Sequence, residues 1–263
     1  MIASIIKVLV AVAIALPLAM YFLQDRLIFY PQPVGDARRA EIAAGFPASK
    51  QIFVEAADGT RLHAWQFGGG PDLVLYFGGN AEEVSGMLGE VTVAVPGASW
   101  LLTDYRGYGA SAGSPSERHL VADAVSWYDY AVRELKPARV FAFGRSLGSG
   151  VAVALAARRS LAGVILSTPY DSLAAVAQRY YPYLPVRWLL RHRFDSIALA
   201  PRLEVPLLCL IAGRDEVIPP AHAERLYQAW GGPKRKLVLA GARHNETDAA
   251  PEFWPAIRGF VSG

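Results

Sequence analysis

The sequence predicts an α/β domain, with a mostly parallel eight-stranded sheet carrying helices on both faces. Three observations predict it. From residue 51 on, apolar runs of strand length recur, and longer amphipathic segments separate most of them. Most of these runs are continuously apolar instead of alternating, as strands covered on both faces are.

The elements follow in chain order. Residues 51–56 and 61–67 flank the pair Asp58-Gly59, a turn signal that predicts an antiparallel hairpin. Strands are then expected at 72–78 (DLVLYFG), 99–105 (SWLLTDY), 138–144 (ARVFAFG), 163–168 (GVILST), 205–213 (VPLLCLIAG) and 235–241 (RKLVLAG). Helices are expected over 117–135, 147–159, 219–230 and 251–261. An insertion over about 170–200 reads as a short helical cap, rich in Tyr and Trp and carrying Arg179, Arg187, Arg191 and Arg193. The domain is expected to occupy residues 50–263, preceded by a juxtamembrane segment over 25–49.

Residues 1–24 are expected to form a transmembrane anchor. The run IASIIKVLVAVAIALPLAMYFL, from Ile2 to Leu23, has bilayer-spanning length and one charge, Lys7, near its start. A cleaved signal sequence is the alternative, but the exit MYFLQDR lacks the small residues of a cleavage site. A short basic head before one long apolar run resembles an export signal and places the catalytic domain on the extracytoplasmic side. The positive-inside count, with Arg26, Arg38 and Arg39 after the span, does not favour that orientation. As a simple tether, residues 1–24 are expected to be dispensable for activity.

Composition excludes several function classes. The chain has 263 residues, 53% hydrophobic and 19% charged, enough for one sizeable core. A net charge of +3 and the absence of a long basic run argue against a nucleic-acid partner. The single cysteine, Cys209, permits no internal disulfide. His63, His119, His192, His222 and His244 are scattered without the short spacings of a zinc site, so no metal or other cofactor is expected.

In a parallel sheet, sites gather beyond the carboxyl ends of the strands. Ser146 stands there, within GRSLG, after the strand 138–144 and before the helical LGSGVAVALAARR. A sharp strand–turn–helix with glycines at 144 and 148 leaves a serine hydroxyl exposed, the arrangement a nucleophile needs. A serine also needs a base, and the base an acid that fixes its tautomer. His244, after the strand 235–241, and Asp215, after the strand 205–213, occupy corresponding loops in the order Ser, Asp, His. His222 reads as a surface or packing residue, while His63 and His119 lie away from the strand ends. Asp104 reads as fixing its loop, and Asp171 and Asp195 are weaker acid candidates. The backbone N–H groups of Leu147 and Asn80 are the expected oxyanion donors. Tyr170, Tyr181 and His192 of the insertion are candidate substrate contacts.

These motifs resemble the α/β-hydrolase superfamily over roughly residues 50–261. They most resemble its membrane-anchored, small-cap branch, which includes yeast bud-emergence-type proteins and animal depalmitoylating hydrolases. The pieces that carry the resemblance are QDRLIFYPQP after the apolar run, LYFGGNAEE, DYRGYGASAGSPSE, GRSLGSG, GRDEVIPP and ARHNE. One departure is Gly78-Gly79-Asn80, where the family usually has His-Gly-Asn. The resemblance implies an α/β-hydrolase fold and a serine hydrolase acting on a carboxylic ester or thioester through an acyl-enzyme, without a cofactor. Anchor and cap together suggest a small-molecule, lipid-like or acylated substrate. A prolyl-aminopeptidase-like peptidase and a non-catalytic membrane-tethered scaffold are the alternatives. The peptidases usually carry a larger cap, with acidic residues that hold the substrate amine; the insertion here is short, and basic residues outnumber its two acids, Asp171 and Asp195.

Overall fold

A computed structural model describes residues 2–263, apart from the side chains of residues 3, 8–10 and 12–14. Its strands are β1 (Lys50–Glu55), β2 (Arg61–Phe67), β3 (Asp72–Phe77), β4 (Ala98–Thr103), β5 (Arg139–Arg145), β6 (Gly163–Ser167), β7 (Leu207–Ala212) and β8 (Lys234–Leu239). They form one eight-stranded sheet in the order β1-β2-β4-β3-β5-β6-β7-β8. Only β2 runs against the rest, through antiparallel pairing with β1 and β4; the other pairings are parallel. The hairpin turns at Gly59, whose φ of 79° suits a residue without a Cβ. Strand β7 begins after Pro206, not at 205, and β4 ends at Thr103, which leaves Asp104 in the following loop.

The helices are α1 (Ile2–Ile28), α2 (Asp36–Gly45), α3 (Met87–Ala94), α4 (Glu117–Tyr130), α5 (Leu147–Ala156), α6 (Leu173–Tyr180), α7 (Val186–Leu189), α8 (Ser196–Leu199), α9 (Pro220–Ala229) and α10 (Phe253–Ser262). The helix expected over 117–135 is α4 followed by a π turn, Ala131–Leu135, which stops at Lys136 in a left-handed conformation (φ 49°). Ser116 caps α4 by accepting the His119 N–H at 3.1 Å, and Ser172 caps α6 in the same way.

Alternation along the central strands sorts the core into two layers. Leu73, Leu75 and Phe77 of β3 face α4, α5 and α9, where Trp127, Val151 and Leu226 are buried. Val74 and Tyr76 face the opposite layer, packed with Leu88 of α3, Phe253 and Ile257 of α10, and Ile42 of α2. Burying both faces leaves the loops at the strand ends as the place for polar chemistry.

The expected membrane helix is not found as such. The amino-terminal helix α1 is present, but among the described residues no helix is long and apolar enough to cross a membrane. Its apolar stretch runs through side chains that lie outside the described residues. Its far end does not stand clear of the domain. Phe29 is buried in the core, and Val34 and Gly109 pair across the surface through the Val34 N–H to Gly109 carbonyl bond of 2.7 Å. The insertion at 170–200 forms the three short helices α6, α7 and α8 above the sheet.

Candidate active site

Strand β5 delivers Ser146 to the middle of the carboxyl edge. Ser146 adopts φ 50° and ψ −115°, a conformation side-chain-bearing residues seldom hold. Its N–H donates to the Ser167 carbonyl at 2.9 Å, and its carbonyl accepts the Ser149 hydroxyl at 2.6 Å. The glycines on either side are steric requirements. A Cβ on Gly144 would overlap the Gly148 carbonyl, and one on Gly148 would overlap the Phe77 carbonyl of β3. Gly148→Val is therefore expected to cost about 3 kcal/mol of stability, because backbone cannot yield as a side chain can. Urea unfolding with a midpoint equal to wild type would contradict that packing.

The Ser146 Oγ lies 2.8 Å from His244 Nε2. On the other side of the ring, His244 Nδ1 reaches Asp215 Oδ2 at 2.8 Å and Oδ1 at 2.9 Å. Both His244 and Asp215 are buried, whereas Ser146 keeps partial access to solvent. Asp215 is aimed by its own loop, since Oδ1 accepts the N–H groups of Val217 at 2.9 Å and Ile218 at 2.6 Å. With a proton on Nδ1 shared with the carboxylate, Nε2 is free to accept the serine proton. This hydroxyl–imidazole–carboxylate relay makes a serine nucleophilic.

Asp171, His222, Asp104 and His63 are engaged elsewhere. Asp171 accepts from His222 Nδ1 and Arg225 Nε, each at 2.7 Å. Burial raises the Asp171 pKa, but those two bonds, together with the Ser172 N–H and the charge of His222, outweigh it and hold the carboxyl below its ordinary value. His63, buried in β2, meets Asp104 at 2.6 Å, and Asp104 also accepts the Ala110 N–H at 3.3 Å. None of these groups touches His244.

Two segments meet beside the hydroxyl, the start of α5 and the loop after β3. Leu147 is the first residue of α5, so its N–H has no acceptor within the helix. The loop after β3 approaches from the other side, where a Cβ on Gly79 would stand 3.6 Å from Ser146 Cβ. Its geometry depends on Glu82, which sequence reasoning missed. Glu82 Oε2 accepts the Gly79 N–H at 2.7 Å, and Oε1 accepts the Tyr76 hydroxyl at 2.5 Å. Burial, with the charge on Glu82, pushes the Tyr76 pKa well up and keeps that donor protonated. The signal was a carboxylate three residues after a glycine turn, a spacing that suits backbone capping. Asn80 contributes through its side chain too, donating to the Ile28 carbonyl at 2.6 Å and accepting the Tyr30 N–H at 3.0 Å.

An apolar cavity of about 360 Å³ opens above Ser146, between the cap and the end of α1. Tyr170 and Tyr181 line it, and the Tyr170 hydroxyl donates to the Leu147 carbonyl at 3.1 Å. His192 does not line it, which corrects its expected place as a substrate contact. Its ring is buried, with Nε2 2.7 Å from Asp25 Oδ1 and Nδ1 accepting the Glu117 N–H at 3.2 Å. Met20, Tyr21 and Gln24 of α1 do line the cavity. The expectation that residues 1–24 are dispensable is revised accordingly, because removing them would open one wall.

Comparison with known proteins agrees with this architecture. A family model described as "Serine aminopeptidase, S33" matches residues 83–199. An uncharacterized protein of Mycobacterium tuberculosis is 38% identical, over 98% of this chain and 94% of its own length. An uncharacterized membrane protein of Saccharomyces cerevisiae is 29% identical, over 92% and 90% respectively. The human alpha/beta hydrolase domain-containing protein 17B is 33% identical over 60% of this chain, which spans 54% of that relative. Among solved structures, the Pyrococcus furiosus esterase Pf2001 shares the fold, with a TM-score of 0.69 at 18% identity over 89% of this chain and 96% of the esterase.

Proposed function

The chain belongs to the α/β-hydrolase superfamily, and we propose that it is a serine hydrolase cleaving a carboxylic ester or thioester through an acyl-enzyme. The observation that carries this reading is the continuous line from Ser146 Oγ through the His244 ring to Asp215. Ser146 Oγ attacks the acyl carbon as its proton passes to His244 Nε2. The oxyanion forms against the N–H groups of Leu147 and Asn80. As the intermediate collapses, the bond from the acyl carbon to the leaving oxygen or sulfur breaks, and His244 gives the leaving group its proton. Water then attacks the acyl-serine, His244 accepting its proton and returning it to Ser146 as the acid departs. The mechanism calls on no metal or other cofactor.

The peptidase reading draws on the family model's description. An aminopeptidase needs a carboxylate to hold the substrate amine, and the described residues that line the cavity include no Asp or Glu. Its lining is chiefly aliphatic and aromatic, which favours an acyl group. Purified protein is expected to hydrolyse p-nitrophenyl acyl esters and acyl thioesters and to leave prolyl p-nitroanilide uncut. The reverse preference would overturn the assignment.

We also propose that α1 holds the protein to a membrane, with the catalytic domain on the extracytoplasmic side. The support is the apolar sequence from Ile2 to Leu23 and the name of the yeast relative. In fractionated cells the full-length chain is expected to stay with membranes after a high-salt wash. Recovery in the soluble fraction would contradict the tether.

A further inference from the structure

We infer that the last three turns of α1 form one wall of the acyl-chain subsite, so that the segment leading into the domain selects which chains reach Ser146. The inference builds on the reading of Ser146 as the nucleophile and adds a specificity role for residues outside the catalytic loops. Three features carry it.

The first is the composition of the groove. One side is Met20 and Leu27 of α1; the other is Val176, Leu184 and Leu189 of the cap; Ser146 lies at its floor. Such a channel offers no charged partner and little hydrogen bonding along its length, so it fits a hydrocarbon chain and fits a sugar or peptide poorly. Its volume of about 360 Å³ is near the lower end for small-molecule sites, which suits one linear chain.

The second feature is that the α1 wall is built into the domain. Gln24 is buried and bonds the cap in both directions, accepting the Arg191 N–H at 2.7 Å and donating to the Leu189 carbonyl at 3.3 Å. Asp25 meets Arg191 at 2.8 Å and His192 at 2.7 Å. One turn later, Asn80 holds the Ile28 carbonyl and the Tyr30 N–H. The same asparagine supplies the proposed oxyanion N–H, so the wall and the reacting centre share a fixed frame.

The third is the surface around the groove. Leu27 is 49% exposed, and on the cap Trp188 and Tyr183 are 86% and 97% exposed. Aromatic side chains beside an apolar helix and basic residues such as Arg187 are the composition of a membrane–water boundary. An acyl chain can therefore pass from the lipid side into the groove without crossing bulk water.

The test uses the full-length chain in detergent micelles. The ratio of kcat/KM for p-nitrophenyl dodecanoate to that for the acetate is measured in wild type, Leu27→Trp and Leu27→Ala. Filling the wall is expected to lower the ratio by about tenfold or more, and hollowing it to raise the ratio. A ratio unchanged in both variants would overturn the subsite, including the case where both esters slow together as general damage would cause. A binding measurement separates this from the nucleophile reading: dodecanoic acid is titrated into Ser146→Ala and into Ser146→Ala/Leu27→Trp. A Kd weakened about tenfold or more by Leu27→Trp supports the subsite even if no ester is turned over. A Kd indifferent to Leu27 removes it even if Ser146 proves nucleophilic.

Discussion

Ser146→Ala is expected to lower kcat for a short-chain ester by about 10⁴-fold or more while leaving the protein folded. The size follows from what is lost. The Oγ that sits 2.8 Å from His244 Nε2 is the only atom in the arrangement placed to bond with an acyl carbon and to pass its proton directly to the base. Backbone donors and the apolar cavity remain, so the residual rate reports electrostatic stabilisation and binding alone. Folding is expected to survive, because Ser146 makes its structural contacts through its backbone N–H and carbonyl. A residual rate near wild type, from protein cleared of contaminating esterase, would place the nucleophile elsewhere.

Asp215→Asn is expected to cost about 10⁴-fold in kcat with little effect on the fold. The carboxylate accepts from His244 Nδ1 and from the N–H groups of Val217 and Ile218. An amide oxygen can retain the two backbone bonds, so the loop keeps its shape. The amide NH₂ facing the ring favours the tautomer with the proton on Nε2, where it blocks acceptance from Ser146. The imidazolium formed during the reaction also loses its counter-charge. Near-normal turnover would pass the role to Asp171 or Asp195, although Asp171 is already committed to His222 and Arg225.

The fold was legible where burial is continuous. All eight strands and the hairpin are where apolar runs and turn signals expect them, because a strand covered on both faces has no choice but to be apolar. Helix α3 was not legible. Gly89 together with Val91, Thr92 and Val93 reads as a poor helix former, yet burial of Met87, Leu88 and Val91 against the sheet overrides propensity. Helix α2 has only one buried residue, Ile42, and hence almost no apolar stripe to find.

At the site, the loops that bring Ser146, His244 and Asp215 together could be read from chain order and strand ends. The parts that escaped are those made by distant segments meeting. Glu82 matters through an N–H at Gly79 and a hydroxyl at Tyr76, and neither bond leaves a mark in composition. His192 looked like a substrate contact because it lies in the cap, but Asp25, 167 residues earlier, claims its ring. The participation of Met20, Gln24 and Leu27 is of the same kind. An apolar run before a domain reads as a tether, and only the packing of cap against helix turns its end into a cavity wall.

The most direct test of the central claim is peptide-mapped mass spectrometry after treatment with a fluorophosphonate. The reagent needs an activated hydroxyl beside an oxyanion hole and makes no demand on the identity of the acyl group. The account predicts one adduct, on Ser146, absent in Ser146→Ala and formed far more slowly in His244→Ala. A folded protein that takes no adduct, or takes it on another residue, would contradict it.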